Sequence, residues 1–198
     1  MRSKNPYKKP DHNTQKAKSE GYPARSVYKL EEIDRRVRIL RPGQHVVDLG
    51  AAPGSWSMYV AKTIGRGGKL LAIDLSPIDI AFGPNVTVIQ GDALDVASEV
   101  FEAHGPFDVV LSDMAPSTSG NRAADQWRSF ELCMRAIDVA RVHGKPGSAF
   151  VGKIFMSEEF QQARDALKAL YSEVRTLRPE TVRKSSYEVF LVALGKKP

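Results

Sequence analysis

The chain has 198 residues, 42% of them hydrophobic and 26% charged, the balance of one soluble globular domain rather than of a disordered or fibrous protein. No apolar run approaches the roughly 18 residues a membrane span needs, and the polar, basic N-terminus lacks the apolar stretch of a signal peptide. The lone Cys133 cannot pair within the chain, which fits a reducing compartment, so the cytoplasm is the expected location.

The net charge of +6 is local: Met1 to Lys29 holds eight basic and two acidic residues, and the 21 basic and 21 acidic residues that remain cancel. A polyanion partner met through this segment accounts for the charge, as does a solubilising tail. Residues 1–22 combine that charge with Pro6, Pro10 and Gly21 and show no apolar period, so they read as a flexible basic arm ahead of a single domain over 23–198. From Ser26 the residues Val27, Leu30, Ile33 and Val37 recur at helical spacing and the run stops before Pro42-Gly43. His45 to Leu49 is a strand that enters a Gly-rich turn, followed by a helix through Trp56, Tyr59, Val60 and Ile64. Strand patterns then recur at Lys69 to Leu75, Val86 to Ile89, Phe107 to Ser112 and Ser148 to Phe155, with helices notably over Ala124 to His143 and Ser157 to Leu170. This alternation predicts an α/β fold with a parallel sheet covered on both faces. Ser172 to Leu177 and Tyr187 to Leu194 have no room for a helix between them, so the last strand is expected to be antiparallel.

In open α/β sheets ligands bind beyond the carboxyl ends of the strands. Those ends carry Asp48, Asp74, Asp92 and Asp113, with Lys153 in the fifth strand, so four carboxylates and a lysine are expected on one edge. Gly50 and Gly54, with Ala51, Ala52 and Pro53 between them, would let backbone approach a ligand while the next helix offers its first amides. The four-residue Gly spacing and Pro53 disfavour a dinucleotide-binding G-x-G-x-x-G turn. Asp74, 24 residues after Gly50, could accept from both hydroxyls of a ribose, or simply cap a turn. With Asp92 placed to accept from an adenine amino group, an adenosine-bearing cofactor is the better account, and Trp56 either closes over it or packs in the core. His12, His45, His104 and His143 lack metal-ligand spacing, and no metal is expected.

Lys153 sits in the apolar run Ala149 to Phe155, where a charge is costly unless paired or used, although a strand-end lysine can also snorkel to water. Lys29 lies about 40° from Ile33 by helical spacing, at the border of the apolar face. Glu188 stands between Tyr187 and Val189, and spacing alone does not connect these residues. The segments Ser26 to Leu30, Val47 to Ser57, Ser112 to Pro116, Gly152-Lys153 and Ser185 to Glu188 resemble the FtsJ/RrmJ (RlmE) family of RNA ribose 2′-O-methyltransferases. The likeness runs from about Gly21 to Leu194, with Ser112 to Gly120 especially telling.

The resemblance implies a Rossmann-like methyltransferase fold, a mostly parallel seven-stranded sheet with an antiparallel last strand. It implies S-adenosylmethionine as cofactor, held by Gly50, Pro53, Gly54, Trp56, Asp74, Asp92 and Asp113. It also implies a catalytic tetrad of Lys29, Asp113, Lys153 and Glu188. The family turn reads Pro-Gly-Gly-Trp where this chain has Pro53-Gly54-Ser55-Trp56, so local loop contacts differ there. Lys153 would take or stabilise the hydroxyl proton, or the tetrad would orient the hydroxyl. Neighbouring Lys29 and desolvation would lower its proton affinity, and Asp113 and Glu188 would raise it. The implied substrate is a uridine of large-subunit ribosomal RNA, free or in the subunit, met by a monomer. A transfer RNA substrate and a non-catalytic RNA-binding protein are the alternatives. Arg178, Arg183 and Lys184 could add phosphate contacts or form a solvated basic loop.

Overall fold

Short β-branched and apolar runs form the strands β1 (His45–Leu49), β2 (Lys69–Asp74), β3 (Val86–Gln90), β4 (Phe107–Ser112), β5 (Gly144–Phe155), β6 (Tyr171–Leu177) and β7 (Glu188–Lys196). In the computed structural model, which describes residues 12–183 and 186–198, they pair in the order β3-β2-β1-β4-β5-β7-β6. The five strands from β3 to β5 run parallel, and β7 is antiparallel to both β5 and β6, as the missing crossover helix predicts. The helices are α1 (His12–Ser19), α2 (Val27–Val37), α3 (Ser55–Ile64), α4 (Ser98–His104), α5 (Arg122–His143) and α6 (Phe160–Leu170). No described helix is long and apolar enough to cross a membrane.

Adjacent apolar residues in the central strands serve opposite faces, as the two-residue pleat requires. Val47, Val110 and Phe150 pack with Ile137 of α5 and Leu167 of α6. Their neighbours Val46, Val109 and Val151 pack with Leu30 and Ile33 of α2 and Val60 of α3 on the other side. The strand order reverses between β1 and β4, which opens a crevice at the carboxyl edge where the turns after β1 and β4 diverge.

The N-terminal segment differs from the expected arm over His12–Ser19, which is helical. No apolar period announces α1, because it buries a single small residue: Ala17 is fully covered and packs with Val27 and Tyr28. The phenol of Tyr28 donates to Glu20 at 2.8 Å, and Lys16 lies over the Tyr28 ring, so the helix is held by polar contacts that hydropathy does not register. Residues 1–11 of that arm, and Lys184 and Ser185 near the last strand, lie outside the described residues.

Two buried acidic side chains fix α2. Asp34 accepts from the Leu40 amide at 2.9 Å and from the Tyr59 phenol at 3.0 Å, while Glu32 accepts from the Glu180 amide at 2.9 Å. The apolar anchor is Leu30 with Ile33, both fully buried. Leu30→Ala is therefore expected to cost about 2–5 kcal/mol, read as a lower urea-unfolding midpoint.

Candidate active site

Asp113 directly follows β4, and its backbone amide donates to the Leu49 carbonyl at 3.1 Å, so the turns after β1 and β4 are tied together at the crevice. Lys153, third from the end of β5, is only 6% exposed and reaches across to that turn. Its ammonium donates to the Asp113 carbonyl at 2.5 Å and lies 2.9 Å from Asp113 Oδ1. That carboxylate oxygen is buried and lacks a directed hydrogen bond, so the short distance reflects Coulomb attraction rather than alignment. Here the strand lysine is paired, not snorkelling.

The second pair comes from the other side of the crevice. Lys29 of α2 lies 2.6 Å from Glu188 Oε1, both side chains largely covered. Glu188 opens β7 and stands opposite Phe155 in the ladder, while Lys153 stands opposite Phe190. Directly opposed and alternate residues share a face, so Lys153, Phe155, Glu188 and Phe190 all project the same way. The Lys29 ammonium is 5.8 Å from the centre of the Phe190 ring. Four residues separated in sequence by up to 159 positions thus form two neighbouring lysine–carboxylate pairs above one buried phenylalanine.

Beside the first pair lies a cleft of about 270 Å³ whose charged lining residues are all acidic: Asp74, Asp92 and Asp113. Asp74 is held by two backbone amides, Ala52 to Oδ2 at 2.9 Å and Ser76 to Oδ1 at 2.8 Å, which leaves a lone pair on each oxygen. Asp92 Oδ1 accepts from the Leu94 amide at 2.9 Å. Gly50 lines the cleft in a left-handed conformation (φ 78°), and a Cβ there would come within 2.8 Å of Met114 backbone atoms. The close approach is therefore between the two turns as much as toward a ligand.

Of the residues expected around a cofactor, Gly50, Asp74, Asp92 and Asp113 line the cleft, and Pro53, Gly54 and Trp56 do not. A Cβ on Gly54 would run into Ile78 and Ile80, so this glycine admits the chain segment after β2. Trp56 is 2% exposed; its indole donates to the Ser26 carbonyl at 2.9 Å and its ring centre is 5.9 Å from that of Phe190. Its side chain braces α2 against α3 and does not line the cleft. The apolar walls from Ile73, Ala93, Met114 and Leu132 were not singled out in the sequence. Three of them adjoin the strand-end aspartates, a signal that could have found them; Leu132, from α5, carries no such signal.

Asp48 does not join the other carboxylates. It is fully buried beneath the turn, where Ser57 Oγ donates to Oδ2 at 2.7 Å and Oδ1 has no hydrogen-bond partner among the described residues. Desolvation pushes its carboxyl up to about 7, with Asp113 and Asp74 adding repulsion and the Ser57 hydrogen bond opposing the rise.

A model of the FtsJ-like methyltransferase family matches residues 22–196. The chain belongs to that family. It is 66% identical over 197 residues to ribosomal RNA large subunit methyltransferase E of Sorangium cellulosum, covering all of this chain and 93% of that protein. The protein of the same name from Bdellovibrio bacteriovorus is 48% identical, over 96% of this chain and 99% of its own. Among solved structures, a ribosomal RNA methyltransferase of Plasmodium falciparum superposes with a TM-score of 0.78 at 26% identity, over 88% of this chain and 98% of that one. Fibrillarin of Aeropyrum pernix, solved with S-adenosyl-L-methionine natively bound, shares the fold at a TM-score of 0.62 and 16% identity, over 85% and 76%. As an FtsJ-like methyltransferase, the chain has the mostly parallel seven-stranded α/β sheet with an antiparallel last strand that its sequence predicts.

The raised Asp48 carboxyl has a consequence for stability. Between the ordinary carboxylate range near 4 and about 7, the unfolded chain holds this group ionised while the folded chain holds it protonated. Stability from this group is fully present below that range and is lost as pH rises through 7, by on the order of 3–4 kcal/mol. Asp48→Asn is therefore expected to flatten the fall of the thermal-unfolding midpoint between pH 5 and pH 8, measured beside the unaltered chain.

Proposed function

We propose that this methyltransferase uses S-adenosylmethionine to methylate a ribose 2′-hydroxyl of large-subunit ribosomal RNA, with residues 23–198 as one catalytic domain. The observation that carries this reading is the meeting of the Lys153–Asp113 and Lys29–Glu188 pairs at the mouth of an acidic cleft. The names of the relatives from Sorangium cellulosum and Bdellovibrio bacteriovorus support the ribosomal substrate.

The cleft residues fit this cofactor. Asp74 offers two accepting oxygens to a pair of ribose hydroxyls, and Asp92 keeps an oxygen for an adenine amino group. A cleft whose charges are all carboxylates favours a sulfonium cation and opposes the phosphates of a dinucleotide. Held by Asp74 and Asp92, S-adenosylmethionine would supply an electrophilic methyl group to the ribose oxygen and leave as the neutral thioether.

A ribose hydroxyl is a weak nucleophile until its proton is removed or strongly polarised. Lys153 takes that proton once it has given one of its own ammonium protons to solvent, and Asp113 Oδ1 at 2.9 Å receives the charge of the ammonium so re-formed. The backbone of Asp113 fixes the amine's direction through its carbonyl. Lys29 and Glu188 hold the sugar, the ammonium donating to a ribose oxygen and the carboxylate accepting from a hydroxyl. Because Lys153 is buried and tethered, the hydroxyl meets a fixed base in a mostly dry site, and orientation contributes much of the acceleration. The basic N-terminal segment, including Lys16 and Lys18 on α1, approaches the phosphates of the RNA.

Lys153→Ala is expected to lower turnover at least a thousandfold while leaving S-adenosylmethionine affinity within about threefold. Transfer of a labelled methyl group to large-subunit RNA from a strain lacking the activity measures the first, and calorimetric titration the second. Undiminished transfer by this variant would overturn the assignment.

A further inference from the structure

The edge of the sheet next to the tetrad carries an aromatic ring to which the chemistry above gives no task. Tyr187 directly precedes Glu188 and is partly exposed. Its ring meets Phe155 edge-on, with centres 5.1 Å apart and planes at 78°, and its carbonyl accepts from the Met156 amide at 2.9 Å. The guanidinium carbon of Arg122, the first residue of α5, lies 5.0 Å from the centre of the same ring. A planar cation and a planar ring are thus paired at the surface, one residue from the Lys29–Glu188 pair.

The fold has no need of this contact. The start of α5 is already set by Asn121, whose side chain accepts from the Ala124 amide at 3.2 Å, and by Asp125, which accepts from both the amide and the hydroxyl of Ser119. An exposed cation–ring contact adds little to such an anchor. The pair has the chemistry that receives an unstacked nucleobase: a ring face for stacking, and a guanidinium able to stack on a base or pair with a phosphate. A ribose presented to the tetrad must come from a strand opened enough to expose its 2′-hydroxyl, and bases of such strands are held on aromatic and Arg planes.

We propose that Tyr187, braced by Phe155 and faced by Arg122, is the stacking platform for a base of the acceptor RNA strand beside the methylated ribose. The proposal rests on the reading of the tetrad as an RNA 2′-O-methylation site. It makes Tyr187 and Arg122 residues that contact substrate without taking part in proton transfer.

The test measures binding and turnover separately, with Tyr187→Ala, Tyr187→Phe and Arg122→Gln, each checked for an unaltered thermal-unfolding midpoint. Anisotropy of a fluorescein-labelled single-stranded oligoribonucleotide reads RNA affinity, and labelled-methyl transfer to large-subunit RNA reads KM and kcat. Tyr187→Ala is expected to weaken RNA binding and raise KM about tenfold or more, the size of one lost base–ring contact. The salt dependence of binding should stay as it was, since no phosphate contact is removed. Tyr187→Phe keeps the ring and should restore affinity, whereas Arg122→Gln should weaken binding and flatten the salt dependence. Unchanged RNA affinity and KM in Tyr187→Ala would overturn the platform while leaving the proposed reaction standing. Weakened RNA binding in Tyr187→Ala, with no methyl transfer by the unaltered chain, would leave Tyr187 an RNA-stacking residue but overturn the reaction and with it the place beside a methylated ribose. No RNA binding by the unaltered chain would overturn both.

Discussion

The site depends on the direction of one strand. β1, β2, β3 and β4 are parallel and deliver functional groups at their carboxyl ends, where Asp74, Asp92 and Asp113 stand. β7 runs against β5 and therefore begins where β5 ends. Its first residue, Glu188, reaches the edge at which the other strands finish. A parallel last strand would have placed that carboxylate at the opposite edge, a sheet's length away from Lys153. The insertion of β7 between β5 and β6 thus brings Glu188 to the edge where Lys153 pairs with Asp113, and α2 has only to lay Lys29 across the gap.

Burial sets the charge balance of that edge. An unpaired ammonium in a strand as covered as β5 would be costly, and Asp113 offsets the cost for Lys153 while Glu188 does so for Lys29. With each lysine beside a carboxylate, the four groups are formally neutral. That lets them sit largely covered beside Phe190 rather than on a wet surface. Among the described residues Asp48 has no cationic partner, and burial answers by moving its carboxyl toward neutrality instead. The same edge therefore uses both physical remedies for a buried charge, pairing and protonation.

The sequence made the strands, their ends and the final antiparallel turn legible, because alternation of strand and helix patterns constrains topology strongly. It was less able to say which way a side chain turns within a loop. Gly54 and Trp56 lie in the motif that suggests a cofactor, yet Gly54 makes room for Ile78 and Ile80 and the Trp56 ring belongs to the core. Asp48 shares the strand-end pattern of Asp74 but precedes Gly50 by two residues, which places it under the turn. Leu132 reaches the cleft from α5, and nothing local in a 22-residue helix identifies the position that will face a distant turn. α1 escaped notice because one buried alanine and a ring of polar contacts leave no apolar period.

Ser55 shows how the departure from the family turn is accommodated. Its side chain is 1% exposed, so the hydroxyl that replaces a glycine hydrogen needed a partner. It has one: the amide of Ala24 donates to Ser55 Oγ at 2.8 Å. Two residues further along, Ser26 accepts from the Trp56 indole, so consecutive residues of the turn grip the chain just before α2. The first turn of α3, with its backbone amides, and the start of α2, which carries Lys29, are therefore one hydrogen-bonded unit. A glycine at position 55 would keep the amides but lose half of that grip. At position 55 the chain therefore carries a side-chain tie between α3 and the segment that leads into α2.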